Sequence, residues 1–283
     1  MTLKNYQLLD SGNLTKLEQV GKYRIVRPAL NAFWKPALAS REWNDAHAVF
    51  ERNSSGGGKW RKQNGGLPES WEVEYSGFNI LVKPTNFGHL GFFAEQYENW
   101  DWLKKTIGKM QGEPQVLNLF AYSGLGSLAM AEGGAKVCHV DAAQGMNEWG
   151  RQILQLNPRI DDRIRWIADD VVKFTARETR RGVKYNGLIL DPPSFGRGPK
   201  GQLWKIEDNL DELMCNCREL IDTDKPFFVI LSCHSPGFSP LVLEHILQDY
   251  FGAGNQLESG EMTIPAASGH LLPAGVSAKI WKS

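Results

Sequence analysis

The second part of the chain alternates between apolar strands and amphipathic helices. From about residue 115, strand-like runs such as QVLNLFA and GLILDPP are separated by helical segments such as QGMNEWGRQILQLN. This alternation predicts a parallel sheet with helices on both faces, because each parallel connection needs a crossover. The last two strand-like runs, NQLESGEMTI and SAKIWKS, have no helix between them, so we expect an antiparallel pair there.

The first 85 residues follow a different pattern. YQLLD and KYRIVRP are typical of strands, which flank a predicted short helix over residues 14–21. We therefore predict a small β-rich accessory domain over residues 1–85 and a larger domain over residues 86–283. Residues 53–66, NSSGGGKWRKQNGG, are rich in glycine and basic side chains, so we expect a mobile loop near them.

Composition narrows the class of protein. Lys plus Arg and Asp plus Glu both number 32, and this balance counts mildly against a nucleic-acid-binding protein, which is often basic. The four cysteines have neither the spacing of a zinc site nor that of a disulfide framework, so we expect no metal. No apolar run has the length of a membrane span, and the N-terminus lacks the apolar stretch of a signal peptide. We predict a cytoplasmic protein.

Ligands of such sheets bind at the carboxyl ends of the strands. Residues 124–129, GLGSLA, fit the pattern G-x-G-x-x-G/A, in which free N–H groups at a helix N-terminus favour an anion such as a phosphate or a methionine carboxylate. Asp141 ends the second strand and could accept from both hydroxyls of a ribose, or cap a helix. Asp169 and Asp170 end the third strand; either could bind an adenine amino group or serve as a helix cap.

The fourth strand runs into residues 189–198, ILDPPSFGRG. Proline fixes φ and has no N–H, and Pro192 also keeps Asp191 out of the helical region. The loop therefore starts rigid and presents a carboxylate and carbonyl groups, while Phe195 offers an aromatic face for stacking. This arrangement suits the amino group or ring N–H of a planar substrate; a purely structural turn is the alternative.

Taken in order, these motifs resemble class I S-adenosylmethionine-dependent methyltransferases, and among them the large-subunit ribosomal RNA methyltransferases, some of which modify cytosine C5 or guanine N2. The resemblance covers about residues 75 to 283 and includes GHLGFFAEQYENWDWL at 88–103. It implies a Rossmann-like α/β fold: a seven-stranded methyltransferase sheet with an antiparallel last strand. It also implies S-adenosyl-L-methionine as cofactor and RNA, ribosomal RNA or its precursor, as partner.

Carried over position by position, the resemblance implies a cofactor site and a substrate site. Asp141 would hold the ribose and Asp170 the adenine, while Asn118 stands where the family often has aspartate. Asp191 and Pro192 would face both the methyl group and the target base. The implied cofactor residues are Phe93, Gln96, Asn118, Ala121, Tyr122, Ser123, Gly124, Asp141, Asp169, Asp170, Asp191 and Pro192. The predicted substrate-binding residues are Pro193, Ser194, Phe195, Arg197 and Lys200.

The predicted catalytic residues are Asp191 and Cys233, which ends the fifth strand in ILSCHSPG. A thiolate there could attack C6 of a cytosine and make C5 nucleophilic. Alternatively Cys233 is inert, and the methyl group goes to an exocyclic amine held by Asp191. We prefer the first route. A catalytically silent RNA-binding factor on the same fold is a rival, and an NAD-dependent dehydrogenase is the least favoured.

Overall fold

The computed structural model describes residues 5–53, 56–198 and 201–283. The chain divides into two compact units. The first unit comprises Met1–Glu95 and Thr263–Ala274, and the second comprises Gln96–Met262 and Gly275–Ser283. The first unit thus extends past the predicted boundary at residue 85 and includes part of the C-terminal hairpin.

The first unit is rich in β structure. Its elements in chain order are β1 (Tyr6–Gly12), β2 (Thr15–Val20), β3 (Tyr23–Pro28), α1 (Ser40–Asn44), β4 (Ala48–Arg52), β5 (Gly58–Lys62), β6 (Trp71–Tyr75) and β7 (Phe78–Val82). Strands β1 to β5 form one sheet in sequence order, and β6 pairs with β7 as an antiparallel hairpin. A 3₁₀ turn over Ala94–Gln96 follows.

The helix predicted over residues 14–21 is wrong, because these residues form strand β2 between β1 and β3. The reason is the burial of Glu18, which is 0% exposed and binds Arg27 of β3 through two contacts of 2.6 Å. Tyr6 of β1 also donates to Glu18, at 2.9 Å. Burial acts to raise the pKa of Glu18, but the charges of Arg27 and Lys16 outweigh it and lower the pKa to about 2.

Part of the predicted loop 53–66 is also a strand. Gly58–Lys62 form β5, which pairs antiparallel with β4, whereas residues 54–55 lie outside the described residues. Trp60 anchors the strand, because its Nε1 donates to the Thr85 carbonyl at 2.9 Å. Its ring also packs edge-on against Phe50, with centroids 5.2 Å apart.

The second unit contains the predicted alternation. Its elements are α2 (Tyr97–Ile107), β8 (Gln115–Leu119), α3 (Leu125–Glu132), β9 (Lys136–Asp141), α4 (Gln144–Gln155), β10 (Ile164–Ala168), α5 (Val171–Arg180), β11 (Gly187–Leu190), β12 (Phe195–Arg197), β13 (Leu203–Lys205), α6 (Ile206–Leu220), β14 (Phe227–Cys233), α7 (Pro240–Phe251), β15 (Gln256–Pro265) and β16 (Leu271–Lys282). The main sheet has the order β10-β9-β8-β11-β14-β16-β15. Strand β16 runs antiparallel to β14, whereas β8 to β11 and β14 pair in parallel. This confirms the predicted Rossmann-like, seven-stranded α/β fold.

Helices cover both faces of this sheet. On one face, Leu117, Leu190 and Leu231 pack with Phe174 of α5 and Leu213 of α6 in an apolar core. Helices α2, α3 and α4 cover the other face. Strand β14 is buried at every position, as expected for a central strand read from a continuous apolar run.

The topology places the ligand site. Strand order reverses at β8, which lies between β9 and β11, so the connections leaving β8 and β11 diverge to opposite faces of the sheet. Such a switch point opens a crevice at the carboxyl ends of the strands. The loops after β8, β9, β10, β11 and β14 therefore meet at one edge, and these loops carry most of the predicted site residues.

Among the described residues, no helix is both long and apolar enough to cross a membrane. The same part of the chain shows no group of three or more Cys, His, Asp and Glu side chains placed to hold a metal ion. The cysteines Cys138, Cys215, Cys217 and Cys233 are all free thiols.

Candidate active site

The loop after β8 is held in an unusual backbone conformation. Phe120 and Tyr122 have φ values of 55° and 52°, and Gly124 has 88°. A non-glycine residue in this left-handed region costs roughly 1–2 kcal/mol, and such strain clusters at functional sites. Helix α3 begins directly after Gly124, whose missing side chain leaves the backbone open at the helix N-terminus.

Asp141 anchors this loop at the end of β9. One carboxylate oxygen accepts from Tyr122 N at 2.8 Å and the other from Ala143 N at 2.9 Å. Burial raises the pKa of Asp141, and the two backbone hydrogen bonds oppose that rise. Each carboxylate oxygen can accept more than one hydrogen bond. Asp141 can therefore bind the loop and a ribose at the same time. It does not cap α4, whose cap position is Ala143.

A buried polar chain lies beside the same loop. Asn118 Nδ2 donates to Ser127 Oγ at 2.9 Å, and Ser127 Oγ lies 3.0 Å from His139 Nδ1. All three side chains are buried, and burial is the main reason that the pKa of His139 falls to about 3. The amide of Asn118 can donate here, whereas an ionised aspartate could only accept. This contact gives a physical reason for an amide at position 118.

Helix α4 packs closely on the loop through Gly150. A Cβ built at Gly150 would lie 2.7 Å from Trp166 Cη2 and 2.9 Å from the Ser123 carbonyl oxygen. Gly145 lies in the same helix with no neighbour within 4 Å of such a Cβ. The two glycines thus offer a matched pair of substitutions.

We expect Gly150→Ala to lower the free energy of unfolding by about 1–3 kcal/mol, the usual cost of overpacking. Gly145→Ala should instead raise it by up to about 1 kcal/mol, because alanine favours helix. Denaturant unfolding of both variants measures the difference. Equal changes in the two variants would contradict the packing that places Ser123.

Both acids after β10 already have partners in the chain. Asp169 accepts from Asp170 N at 2.8 Å and from Arg177 Nη2 at 2.7 Å. Asp170 caps α5 by accepting from Lys173 N at 3.0 Å. A Cβ on Gly198 would lie 2.9 Å from Asp170 Oδ2, so the β12–β13 hairpin approaches this carboxylate. Their assignment to adenine stays a prediction.

Asp191 follows β11, and each of its carboxylate oxygens has a polar neighbour. Gln96 Nε2 donates to Oδ2 at 3.1 Å, and His234 Nδ1 lies 3.2 Å from Oδ1. Burial acts to raise the pKa of Asp191, but His234 and the hydrogen bonds from Ser232 and Gln96 outweigh it and lower the pKa. Asp191 is therefore an oriented, ionised acceptor.

The orientation of Gln96 is itself fixed. Its Nε2 also donates to Ser232 Oγ at 3.0 Å, and its Oε1 accepts from Asn99 Nδ2 at 2.7 Å. Asn99 Nδ2 lies 3.3 Å from Ser277 Oγ on β16. This buried network links α2, β14 and β16 to the Asp191 carboxylate, so Gln96 presents its NH₂ group to Asp191.

The loop after Asp191 is held by hydrogen bonds at Pro193 and Ser194, whereas its next residues are exposed. Trp204 Nε1 donates to the Pro193 carbonyl at 2.6 Å, and Ser194 Oγ lies 2.7 Å from Ser235 Oγ. Phe195 is 54% exposed, and Arg197 two residues later is exposed as well. Lys200, also predicted to bind substrate, lies outside the described residues.

Cys233 ends β14 and is 1% exposed. Its side chain belongs to the apolar core on the α5–α7 face, and Sγ accepts from Ser235 N at 3.4 Å. Its neighbours along the chain, Ser232 and His234, contact Gln96 and Asp191 respectively. Cys233 thus lies in a four-residue segment that contacts the Asp191 loop on either side of it.

The structure brings most of the predicted residues together at one edge of the second unit. Phe93 belongs to the first unit, where its ring lies 5.2 Å from that of His89. Sequence reasoning missed the partners that hold the site, which are Asn99, Ser127, His139, Trp204, Ser232 and Ser277. The contacts of Ser232 with Gln96 and of Ser277 with Asn99 join residues 136 and 178 positions apart, so no local pattern could have indicated them.

Comparisons with known proteins identify the family. The family model for S-adenosylmethionine-dependent methyltransferases matches residues 15–225. Ribosomal RNA large subunit methyltransferase I of Aeromonas salmonicida is 33% identical over 132 residues, 46% of this chain and 32% of the relative. The matched region therefore spans about a third of the length of that curated relative.

Two solved structures share the fold. A SAM-dependent methyltransferase from Agrobacterium tumefaciens is 34% identical with a TM-score of 0.92, over 99% of this chain and 91% of that one. A structure from Streptococcus mutans is 16% identical with a TM-score of 0.75, over 100% and 76% of the two chains. The second likeness concerns the fold alone.

Proposed function

The chain belongs to the S-adenosylmethionine-dependent methyltransferase family, and we propose that it methylates a base in RNA, with ribosomal RNA as the substrate class. Family membership confirms the predicted cofactor, S-adenosyl-L-methionine, which when bound supplies an electrophilic methyl group on a sulfonium centre. Similarity to a protein named ribosomal RNA large subunit methyltransferase I supports the RNA substrate. The exposed Phe195 and Arg197 beside the Asp191 loop support it independently, because aromatic faces stack bases and guanidinium groups bind phosphates.

The residues at the carboxyl edge fit this cofactor. Gly124 opens the N-terminus of α3, and the φ values of Phe120 and Tyr122 turn the loop around it. Asp141 retains acceptor capacity for the two ribose hydroxyls beyond its bonds to the backbone. We assign Asp141 as the ribose anchor and the Tyr122–Gly124 loop as the methionine-binding segment.

We expect Asp141→Ala to weaken S-adenosylmethionine binding by about 1.5–3 kcal/mol, or roughly 10- to 150-fold in Kd, because a hydrogen-bonded charge is lost. Titration calorimetry measures this change. Glu148→Ala, which removes an exposed acid from the neighbouring α4, should bind as the wild type does. Unchanged affinity in a folded Asp141→Ala protein would remove Asp141 from the site.

Asp191 defines which edge of a base can bind. An ionised carboxylate only accepts hydrogen bonds, so the target must present an N–H to it. The exocyclic amine of cytosine meets this requirement, and Phe195 is placed two residues beyond Pro193 to stack on a planar ring. We therefore infer a base with an amino group on its recognised edge.

The placement of Cys233 carries our preference for cytosine C5 as the methylated atom. Ser232 contacts Gln96, and His234 lies beside Asp191. The backbone N–H of Ser235 donates to Cys233 Sγ, and the Ser235 hydroxyl contacts that of Ser194 in the Asp191 loop. The thiolate is the nucleophilic form of a cysteine. Addition of the thiolate to C6 would make C5 of the base nucleophilic towards the methyl group.

Transfer to an exocyclic amine is a second candidate, favoured by one observation. The Cys233 side chain is 1% exposed and packs in an apolar core, as an inert cysteine would. On this route the amine donates to Asp191, the Pro192 carbonyl accepts its second hydrogen and Phe195 stacks on the base. Asp191 is essential on both routes, whereas Cys233 is essential on the first alone.

We also propose that exposed basic side chains in each unit, Arg197 in the second and Lys59 in the first, contact phosphates of the RNA. Arg197→Ala and Lys59→Ala should each reduce the slope of log affinity against log salt by about one unit. Arg61→Ala should change the slope less, because Arg61 already pairs with Glu51 at 2.5 Å. Filter-binding of ribosomal RNA over a salt series measures the slopes, and salt-independent binding would contradict phosphate contacts.

A single assay separates the proposed enzyme from its rivals. Purified protein is incubated with ribosomal RNA that lacks modifications and with S-adenosylmethionine carrying a labelled methyl group. We expect label in the RNA, and about 10²- to 10⁴-fold slower labelling by an Asp191→Asn variant. Cofactor binding without label would indicate a silent RNA-binding factor, and binding of NAD in its place would indicate a dehydrogenase.

A further inference from the structure

We propose that the first unit binds unpaired RNA bases on an exposed apolar surface, where the Phe33 ring stacks on a base and Lys35 contacts a phosphate. This inference rests on RNA as the substrate class proposed above, and it adds a binding surface that the predicted site residues do not include. Four exposed apolar side chains make up this surface, which we call the Phe33 patch: Leu14, Leu30, Phe33 and Leu271.

The first observation is the exposure of these side chains. Phe33 is 82% exposed, the highest value for a large apolar side chain among the described residues, and Leu30 and Leu271 are each 61% exposed. All four side chains belong to the first unit. Because contact with water is unfavourable for apolar surface, a group of exposed apolar side chains marks an interaction site.

Hydrogen bonds bring the three segments of the Phe33 patch together. The loop 29–38 follows β3 and pairs with the β1–β2 turn, where Leu14 N donates to the Ala32 carbonyl at 2.8 Å. The same loop reaches the β15–β16 turn, where Asn31 Nδ2 donates to the Pro273 carbonyl at 3.2 Å. The exposed side chains of these segments therefore lie on one surface.

The loop is also fixed on β1. A Cβ on Gly12 would lie 2.4 Å from Pro36 N, so the loop packs directly against the end of the strand. Asp10, which is buried, accepts from Leu38 N at 2.8 Å, and Trp34 Nε1 donates to a β1 carbonyl at 2.9 Å. An aromatic ring on a fixed backbone loses little conformational freedom when a base stacks on it.

The charges of the three segments favour a polyanion. Residues 11–16, 28–41 and 265–275 contain no Asp or Glu, although the whole chain has 32 acidic and 32 basic side chains. The basic and histidine residues of these segments are Lys16, Lys35, Arg41 and His270. A negatively charged backbone therefore meets cations and no carboxylate from these segments.

Lys35 is the cation best placed to bind a phosphate. Lys16 and Arg41 lie 3.3 and 3.4 Å from the carboxylates of Glu18 and Glu42, whereas Lys35 is exposed. Unpaired bases stack on aromatic faces, and the phosphates between them bind cations. An exposed ring two residues from an exposed lysine therefore suits single-stranded RNA better than a second copy of this neutral chain.

The test measures binding of a short single-stranded RNA to the intact chain by fluorescence anisotropy. Phe33→Ala should raise the Kd about 5- to 150-fold, because base–aromatic stacking is lost. Phe33→Leu should raise it similarly, since leucine is apolar but has no aromatic face, whereas Phe33→Trp should bind at least as tightly as the wild type. Phe87→Ala removes another exposed ring of the same unit and should leave the Kd unchanged.

Methylation kinetics separate the Phe33 patch from the chemical step. Phe33→Ala should raise the KM for RNA and leave kcat unchanged, because the ring contributes to binding alone. The affinity for S-adenosylmethionine should not change. Lys35→Ala should reduce the slope of log RNA affinity against log salt by about one unit.

The outcomes distinguish this inference from the function it rests on. RNA binding that Phe33→Ala leaves unchanged would overturn the role of the Phe33 patch and leave the proposed methylation in place. A wild-type protein that binds no RNA would overturn both. A wild-type dimer that Phe33→Ala dissociates in sedimentation velocity, with unchanged RNA affinity, would make the patch a self-association surface instead. A photocrosslink from 5-iodouridine RNA to Phe33, located by mass spectrometry, would support the inference.

Discussion

Replacing Cys233 with serine is expected to lower the rate of methyl transfer by at least about 10³-fold, a typical effect of removing a catalytic nucleophile. Serine nearly conserves the volume of this buried side chain, so folding and cofactor affinity should change little. Single-turnover transfer of a labelled methyl group to RNA measures the loss. Cys215→Ser, at an exposed thiol on α6, is the matched control and should retain full activity.

RNA that contains 5-fluorocytosine gives the complementary result for Cys233. Fluorine cannot leave as the C5 proton does, so wild-type protein should become covalently attached to this RNA in the presence of cofactor. Cys233→Ser should not. An active Cys233→Ser enzyme with no trapped complex would decide for transfer to an exocyclic amine, and the burial of the thiol would then be a matter of packing alone.

Asp191→Asn is expected to lower turnover by about 10²- to 10⁴-fold, because it removes the charged acceptor at the edge of the base. The change is nearly isosteric, but the Gln96 NH₂ group would then face an amide in place of a carboxylate. Cofactor affinity should fall less than in Asp141→Ala, because Asp191 acts mainly on the base. Kinetic assays with saturating cofactor separate the two effects.

Two further variants sharpen the test of Asp191. Asp162→Asn changes an exposed acid and should leave turnover intact. Gln96→Glu would place a second carboxylate against Asp191 and should raise the pKa of the pair, because like charges at this distance oppose ionisation. Turnover by Asp191→Asn close to that of the wild type would exclude Asp191 from both candidate routes.

The sheet of the second unit could be predicted because the sequence patterns that specify its strands and helices are local. Apolar runs, helical periodicity and the absence of a helix before the last strand are each visible in a short window of sequence. The edge residues followed from the same pattern, since Asp141, Asp170 and Asp191 each come at the end of a strand. Their position at the carboxyl edge is therefore a consequence of topology.

The contacts of the site could not be predicted in the same way. Glu18 lies in the segment predicted as a short helix, but Arg27 from another strand binds its buried carboxylate and the segment forms strand β2. Gln96 and Asp191, which are hydrogen-bonded, are 95 residues apart in sequence, and Asn99 and Ser277 are 178 residues apart. The resemblance suggested Gln96 as a cofactor residue, and this stays a prediction; its contacts with Asp191 and Ser232 were not predicted. Such pairings depend on tertiary packing, which has no signature in a single sequence.

The most direct test of RNA methylation by this protein is a comparison of ribosomal RNA nucleosides by mass spectrometry in cells with and without the gene. We predict that one 5-methylcytidine is present in the parent cells, absent from the deletion strain and restored by the wild-type gene. A gene encoding the Cys233→Ser protein should not restore it. Identical nucleoside profiles in the parent and deletion strains would contradict the account.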